Sequence, residues 1–269
     1  MAPPPQMLST RVRLAIRRSV RVLVPGFLFA VFGIGAVVLA GLVVPVAYCL
    51  RFGREPMDVV AQRWIHRSCY AFAQLGIVLG QFGLEYSGFE RLRHRPRLIV
   101  ANHPSLLDVV FLLSLIPRVD CVVKLEAWSN PALGLIVRTA GYVSNSEGES
   151  MVEACADRLR EGRSVLVFPE GSRSPEAGLR EFKRGAARIA LRSGHPIVPV
   201  AITCDPPTLK KGQPWYALPR DRFDYSLVVG EPVFAKDLVE EGSAPALAAR
   251  RVNAWLYSYF ESALAQPHT

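Results

Sequence analysis

The sequence predicts an α/β fold, a mixed and mostly parallel sheet flanked by helices, with an N-terminal membrane-inserted helical segment in front of it. Three observations predict this. From Arg97 onward, short β-branched runs alternate with stretches of helical pattern, the texture of strands joined by helices. From Leu23 to Leu50, 28 consecutive residues carry no formal charge, where about 20 suffice to cross a bilayer core. The length of 269 residues accommodates one α/β domain of about 200 residues plus an appendage. The expected division is therefore residues 1–84 for a basic segment with membrane-embedded and interfacial helices, and residues 85–269 for the α/β domain.

The first element is the apolar stretch itself, rich in Val, Leu, Phe, Ala and Gly. It is longer than the core of a cleavable signal, about 7 to 15 residues, and no small-x-small site closes it. Arginines stand at both ends, so charge gives little orientation, and Pro25, Gly33, Gly35, Gly41 and Pro45 permit a bend. A single span and a shallow re-entrant hairpin both satisfy the pattern. The next block, Met57 to Gly83, reads as helix, with Trp64, Ile65, Tyr70, Phe72, Leu75 and Leu79 interspersed with Arg63, Arg67 and Gln74. Its second half is too short to span and too apolar for an ordinary surface helix, so it lies at a membrane interface or packs on the first segment. Strands are expected at residues 97–102, 121–124, 164–168, 196–202 and 225–230, and helices near 104–115, 131–139, 149–161, 183–193 and 245–262. Residues 204–220, CDPPTLKKGQPWYALPR, read as a Pro-rich, basic and aromatic loop. Helices between strands put function at strand ends.

Composition removes several classes. With 50% hydrophobic and 20% charged residues the chain is neither disordered nor collagen-like, and it lacks the fixed period of solenoids and propellers. Five cysteines, Cys49, Cys69, Cys121, Cys155 and Cys204, are scattered and never form a Cys-x-x-Cys pair, which argues against a zinc site or disulfide framework and for reducing surroundings. The net charge of +9 comes from 27 arginines and 5 lysines, and no acid precedes Glu55. Arg11, Arg13, Arg17, Arg18 and Arg21 precede the apolar stretch, while Arg51, Arg54, Arg63 and Arg67 follow it. That arrangement points to anionic lipid headgroups. The later run of Arg91, Arg93, Arg95 and Arg97 is open to a plain solvated surface. No helix-turn-helix, zinc-finger or aromatic RNA-binding signature accompanies the charge, so nucleic acid is not an expected partner.

Two segments carry chemistry. Asn102-His103-Pro104-Ser105-Leu106-Leu107-Asp108 follows the first core strand. Proline favours the first helical position, which places His103 near the N-cap and Asp108 in the second turn. Five residues apart within an ideal helix, the two side chains would diverge by about 140°. They meet only if His103 lies outside the helix. An imidazole oriented by a carboxylate is a natural general base for a hydroxyl or water, although Asn102 and His103 could equally just cap the helix. The second segment, Phe168-Pro169-Glu170-Gly171-Ser172-Arg173-Ser174, presents Glu170, Ser172 and Arg173 from a stiff-then-permissive turn. Arg173 suits a phosphate or carboxylate, Glu170 suits a polyol or that arginine, and a plain turn with a surface ion pair would look the same. Lys183 and Arg184 then open a helix whose N-terminus adds partial positive charge. His66, His94 and His195 have no ligand spacing, no group suggests a metal, and P-loop, GxGxxG and GxSxG motifs are absent.

Together NHPSLLD at 102–108, FPEGSRS at 168–174 and the strand IVPVAI at 197–202 resemble the glycerolipid acyltransferase family, whose members include the 1-acyl-glycerol-3-phosphate acyltransferases. The resemblance covers roughly residues 85 to 232. It implies that His103 is the general base and Asp108 its orienting partner. It also implies that Glu170, Gly171, Ser172 and Arg173 line the acceptor site, that Lys183 helps hold an acceptor phosphate, and that Pro199 belongs to the fourth family block. The implied reaction is direct attack on an acyl thioester, with acyl-CoA or acyl carrier protein as co-substrate and no metal or other cofactor. One departure stands out. Many members carry an arginine at the end of a second block, where this chain reads Gly141-Tyr142-Val143-Ser144-Asn145-Ser146-Glu147. That arginine is often tied to the acceptor phosphate, so acyl transfer follows from the resemblance more directly than a phosphate-bearing acceptor does.

The expectation is a membrane-bound O-acyltransferase that converts a lysophospholipid, 1-acyl-sn-glycerol-3-phosphate, to phosphatidate at a bacterial inner membrane, its site facing the cytoplasm. An amino-acid lipid, a glycolipid or a specialised polyene lipid is the alternative acceptor. Membrane lipids, the acyl thioester and the lysophospholipid are the expected partners. Lys210, Lys211, Trp215 and Tyr216 suit a membrane-facing or acceptor-gating loop.

Overall fold

A computed structural model describes residues 23–50, 54–93, 96–130, 133–145, 148–175, 178–214 and 222–265. Arg11 to Arg21, Arg51, His94, Arg95, Ser146, Glu147, Trp215 and Tyr216 lie outside the described residues.

The apolar stretch forms one continuous helix, α1 (Leu23–Leu50), with a mean hydropathy of 2.8 in its most apolar window. By length and composition it can cross a membrane. Its irregularity is a π-helical turn at Leu39–Val43. Leu28, Leu39, Ala40 and Val44 pack inward, whereas Phe27, Ile34, Leu42 and Val46 are exposed. α2 (Met57–Val78) packs on α1, with Phe32 and Phe72 in an edge-on ring contact at 5.5 Å, and on the helix that follows the first core strand. It stops earlier than the sequence pattern indicates. Gly80, at φ +67, ends it: the Gly80 amide donates to the Ile77 carbonyl and the Gln81 amide to the Gly76 carbonyl. Only glycine reaches that left-handed geometry cheaply.

The chain then enters a seven-stranded sheet in the order β1-β7-β6-β2-β5-β3-β4. Its strands are β1 (Phe82–Ser87), β2 (Leu98–Ala101), β3 (Asp120–Val123), β4 (Val143–Ser144), β5 (Val165–Val167), β6 (Ile197–Asp205) and β7 (Phe223–Val229). All neighbours are parallel except β6 with β7, so the expected mixed, mostly parallel sheet is present. The five expected strands fall within two or three residues of their places; β1 and β4 are additions. The division expected at residue 84 falls inside β1. Connecting helices are α3 (Asp108–Leu115), α4 (Leu125–Trp128), α5 (Gly134–Thr139), α6 (Gly148–Arg160), α7 (Gly185–Ser193) and α8 (Pro245–Ala265).

Alternation along each strand builds a core on both faces. Ile99, Ala101, Leu166, Val198 and Val200 face the layer of α1, α2 and α3, while Leu98, Val100, Val165, Val167 and Ile197 face α6, α7 and α8. An ionic staple ties the N-terminal helices to the sheet. Arg163 donates Nε and Nη2 to both oxygens of the buried Asp120 at 2.6 Å and Nη1 to Asp58 of α2 at 2.6 Å. Gln62 of α2 adds a 2.7 Å bond to Asp120.

Candidate active site

The carboxyl ends of β2, β3, β5 and β6 meet at one edge, the position where open α/β sheets place ligands. Asn102 starts the site. Its side-chain amide donates to the Ile202 carbonyl at 2.8 Å and its side-chain oxygen accepts the Ile202 amide at 2.7 Å, continuing the β2–β6 ladder while the main chain turns away.

That turn releases His103 from both strand and helix. α3 begins only at Asp108, so the helix expected from residue 104 starts four residues later and Asp108 lies in its first turn. The reason is local: Asp108 Oδ2 accepts the Ser105 amide at 2.7 Å, reaching back three residues as the acid of a capping box does. The same oxygen lies 2.7 Å from His103 Nδ1, and His103 does lie outside the helix, as pairing requires. A carboxylate can only accept, so Nδ1 carries the proton and Nε2 is left as the basic nitrogen. The imidazole is 17% exposed, its partner wholly buried, and its ring lies on Phe168 at a centroid distance of 4.4 Å. Burial pushes the Asp108 carboxyl upward; the bond to and charge of His103 and the Ser105 amide pull it back, while the charge of Glu170 adds to the rise. Asp108 Oδ1 is buried without a hydrogen bond.

The second segment supports the first rather than facing it as an equal. Glu170 is 1% exposed. Its Oε1 accepts the His103 amide at 2.9 Å and the Ser174 hydroxyl at 2.7 Å, and its Oε2 accepts the Arg180 amide at 3.0 Å. The Ser174 amide donates to the His103 carbonyl at 2.7 Å. Glu170 thus holds the His103 amide while Ser174 holds the His103 carbonyl, and both Glu170 oxygens accept hydrogen bonds from the chain. Gly171, at φ +62, closes the turn with its amide on the Phe168 carbonyl at 3.0 Å. The Lys183 side chain lies across it: a Cβ on Gly171 would stand 3.0 Å from Lys183 Cε and 3.2 Å from Nζ. Ser172 is half-buried on the same turn. Arg173 turns Nη1 onto the carbonyls of Leu209 and Lys210, at 2.7 and 2.9 Å.

Lys124, at the end of β3, belongs to this edge although the sequence reading placed it only in a strand. Partial desolvation pushes its ammonium below the ordinary range; Glu126 opposes this, and the charges of Lys211, Lys183 and Arg173 reinforce it. Three cations from three other chain segments thus act on Lys124 at this edge. A lysine directly after a β-branched run, on a strand expected to end at the functional edge, was the available signal. On the apolar side, Pro25, Leu28 and Phe29 of α1 share a small cavity with Leu107, Leu209 and Phe223. Leu106 and Leu125 stand exposed at the mouth.

The histidine–carboxylate pair thus stands at the end of the sheet with cationic side chains and an apolar helix around it. Residues 83–203 match the family described as Acyltransferase. A chloroplastic 1-acyl-sn-glycerol-3-phosphate acyltransferase of Brassica napus is 31% identical over 183 residues, covering 64% of this chain and 51% of that protein. The 1-acyl-sn-glycerol-3-phosphate acyltransferase of Pseudomonas aeruginosa is 27% identical over 206 residues, covering 73% of this chain and 75% of that protein. The crystal structure of the 1-acyl-sn-glycerophosphate acyltransferase PlsC from Thermotoga maritima superposes with a TM-score of 0.72 at 21% identity, over 94% of this chain and 99% of that one, and shares the fold. Residues 83–203 thus carry an Acyltransferase-family domain, and the chain is similar to these acyltransferases beyond it. It spans about half the length of the plant relatives it matches.

Proposed function

We propose that the protein is a membrane-associated 1-acyl-sn-glycerol-3-phosphate O-acyltransferase that uses an acyl thioester of coenzyme A or acyl carrier protein. The observation that carries this reading is the 2.7 Å His103–Asp108 pair at the end of β2, set beside Lys124, Lys183 and Arg173. His103 Nε2 takes the proton of the acceptor hydroxyl as its oxygen attacks the thioester carbonyl. The carbon–sulfur bond then breaks, the ester forms, and the imidazolium returns the proton to the departing thiolate. Asp108 holds the tautomer and offsets the imidazolium charge; such general-base assistance contributes about 10² to 10⁴ in rate. Lys183 and Lys124 meet the headgroup, and Glu170 holds the loop that carries His103. The exposed face of α1 and the apolar cavity at its end keep acyl chains at the level of the site, which supports a membrane location. Relatives named for this activity in a bacterium and in plants support the acceptor.

The test is an acyl-transfer assay in membranes that hold the protein, offering labelled acyl thioester with lysophosphatidate, with other lysolipids, and alone. Phosphatidate formed selectively from lysophosphatidate is the expected result. Transfer only to a different lysolipid or to an amino-acid lipid would move the protein to another acceptor, and thioester loss without acceptor would make it a thioesterase.

A further inference from the structure

The cationic mouth has one wall that neither motif accounts for, the loop at 206–214 after β6. Its path is fixed at several points. The Leu209 carbonyl accepts Arg173 Nη1 at 2.7 Å and the Leu106 amide at 3.2 Å. The Lys210 carbonyl accepts the same Nη1 at 2.9 Å and the Gln213 amide at 3.1 Å, while the Lys210 amide donates to Gln213 Oε1 at 3.0 Å. Leu209 is 2% exposed and stands at φ +53, a left-handed conformation that costs an ordinary residue about 1–2 kcal/mol. The loop is held in place against that cost, three residues from His103 in sequence through Leu106. Both hydrogens of Arg173 Nη1 are engaged by main-chain carbonyls, so one arm of its fork is closed to a ligand.

We propose that the 206–214 loop is the acceptor-facing wall of the site, that Arg173 is the positioning residue that holds it there, and that Lys211 is a headgroup ligand selecting a phosphomonoester-bearing acceptor. This rests on the acceptor reading above and deepens it. Lys211 directly follows the Lys210 carbonyl that Arg173 grips, and its charge reaches Lys124 at the end of β3 together with those of Lys183 and Arg173. Glu126 is the acid that answers Lys124 there, and the charge of Asp108 reaches Arg173; Glu170 is buried and bonded to the chain. Cations brought together from the residue after β3, the 170–174 turn, the approach to α7 and the loop repel unless an anion joins them. A phosphomonoester supplies up to two charges and several acceptor oxygens at that point. The second block, ending in Ser144 and Asn145, has no arginine to do so.

Two variants and two acceptors test this, in membranes holding the full chain. The acceptors are lysophosphatidate and the neutral monoacylglycerol with the same chain and hydroxyl. Lys211→Ala, at an exposed position, should raise KM for lysophosphatidate about tenfold, the size of one charge-assisted contact, with kcat for both acceptors held. Arg173→Lys, which cannot bridge both carbonyls, should give a comparable KM rise. It should also speed hydrogen exchange at the Leu106 amide, which reports the loop directly. An unchanged KM in Lys211→Ala, or unchanged exchange at Leu106 in Arg173→Lys, overturns the inference while a parent selective for lysophosphatidate keeps the acceptor reading. A parent that uses both acceptors alike overturns the acceptor reading and this inference with it.

Discussion

Replacing Glu170 by glutamine separates a clamp from a ligand. The carboxylate accepts three hydrogen bonds, two at Oε1 from His103 and Ser174 and one at Oε2 from Arg180. Glutamine retains one acceptor oxygen. If that oxygen faces His103 and Ser174, its NH₂ meets the Arg180 amide, donor against donor. Converting two charge-assisted bonds to neutral ones costs about 1 kcal/mol each, and leaving a buried amide unpaired adds about 1–3 kcal/mol, so about 3–5 kcal/mol in all. For a chain of this size that lowers Tm by about 10 °C. With the side-chain amide turned the other way, its NH₂ meets the His103 amide instead, the His103 main chain would drift, and a displacement near 1 Å costs about 10²-fold in rate. Thermal unfolding in detergent, read beside kcat and KM for both substrates, checks this. A variant with the parent's Tm and a raised acceptor KM alone would refute the clamp and make Glu170 an acceptor ligand.

Other outcomes follow from the same geometry. Asp108→Asn should abolish turnover yet raise Tm at neutral pH, because burial holds the Asp108 carboxyl above its ordinary value of 3.8. A raised acid favours the protonated fold, so the wild-type deficit is full above the folded value and gone below 3.8; the Tm gap between variant and parent should close as pH falls through that window. Gly171→Ala should cost about 1–2 kcal/mol at its left-handed φ and push the Lys183 ammonium aside, raising KM for the anionic acceptor more than it lowers kcat. Arg163→Met should strip the buried Asp120 of its cation while the Gln62 bond stays, cost about 3–5 kcal/mol and lower Tm. Below its melt, the variant should keep the parent's kcat, because the staple lies at the sheet edge away from His103.

Legibility in the sequence tracked how local each signal was. β2, β3, β5, β6 and β7 are short β-branched runs between helical stretches, and each is found close to its expected place. The first two residues of β1 fall in the tail of the helix the sequence predicts, because Phe82-Gly83 continues an apolar helix pattern; the break lies in Gly80, whose left-handed role shows only in its φ. β4 is two residues long and is made by its partner β3, not by its own composition. At the site, His103 and Asp108 were legible because Pro104 prevents the helix from absorbing the histidine. The buried bonds of Glu170 to the His103 amide and Ser174 hydroxyl were not, since a carboxylate beside glycine and arginine reads the same whether it faces a ligand or a buried amide. Lys124 and the grip of Arg173 on the 206–214 loop depend on strand order, which brings the ends of β3 and β6 to the edge that holds β2, and spacing along the chain does not carry that.

The most direct measurement is single-turnover transfer from a labelled acyl thioester to lysophosphatidate in reconstituted membranes, comparing the parent with His103→Ala. The account predicts labelled phosphatidate from the parent and a loss of about 10² to 10⁴ in rate for the variant, the range of general-base assistance, with membrane attachment and Tm retained. Phosphatidate formed by His103→Ala at more than about a tenth of the parent's rate would contradict the account, because the base would then be some other group.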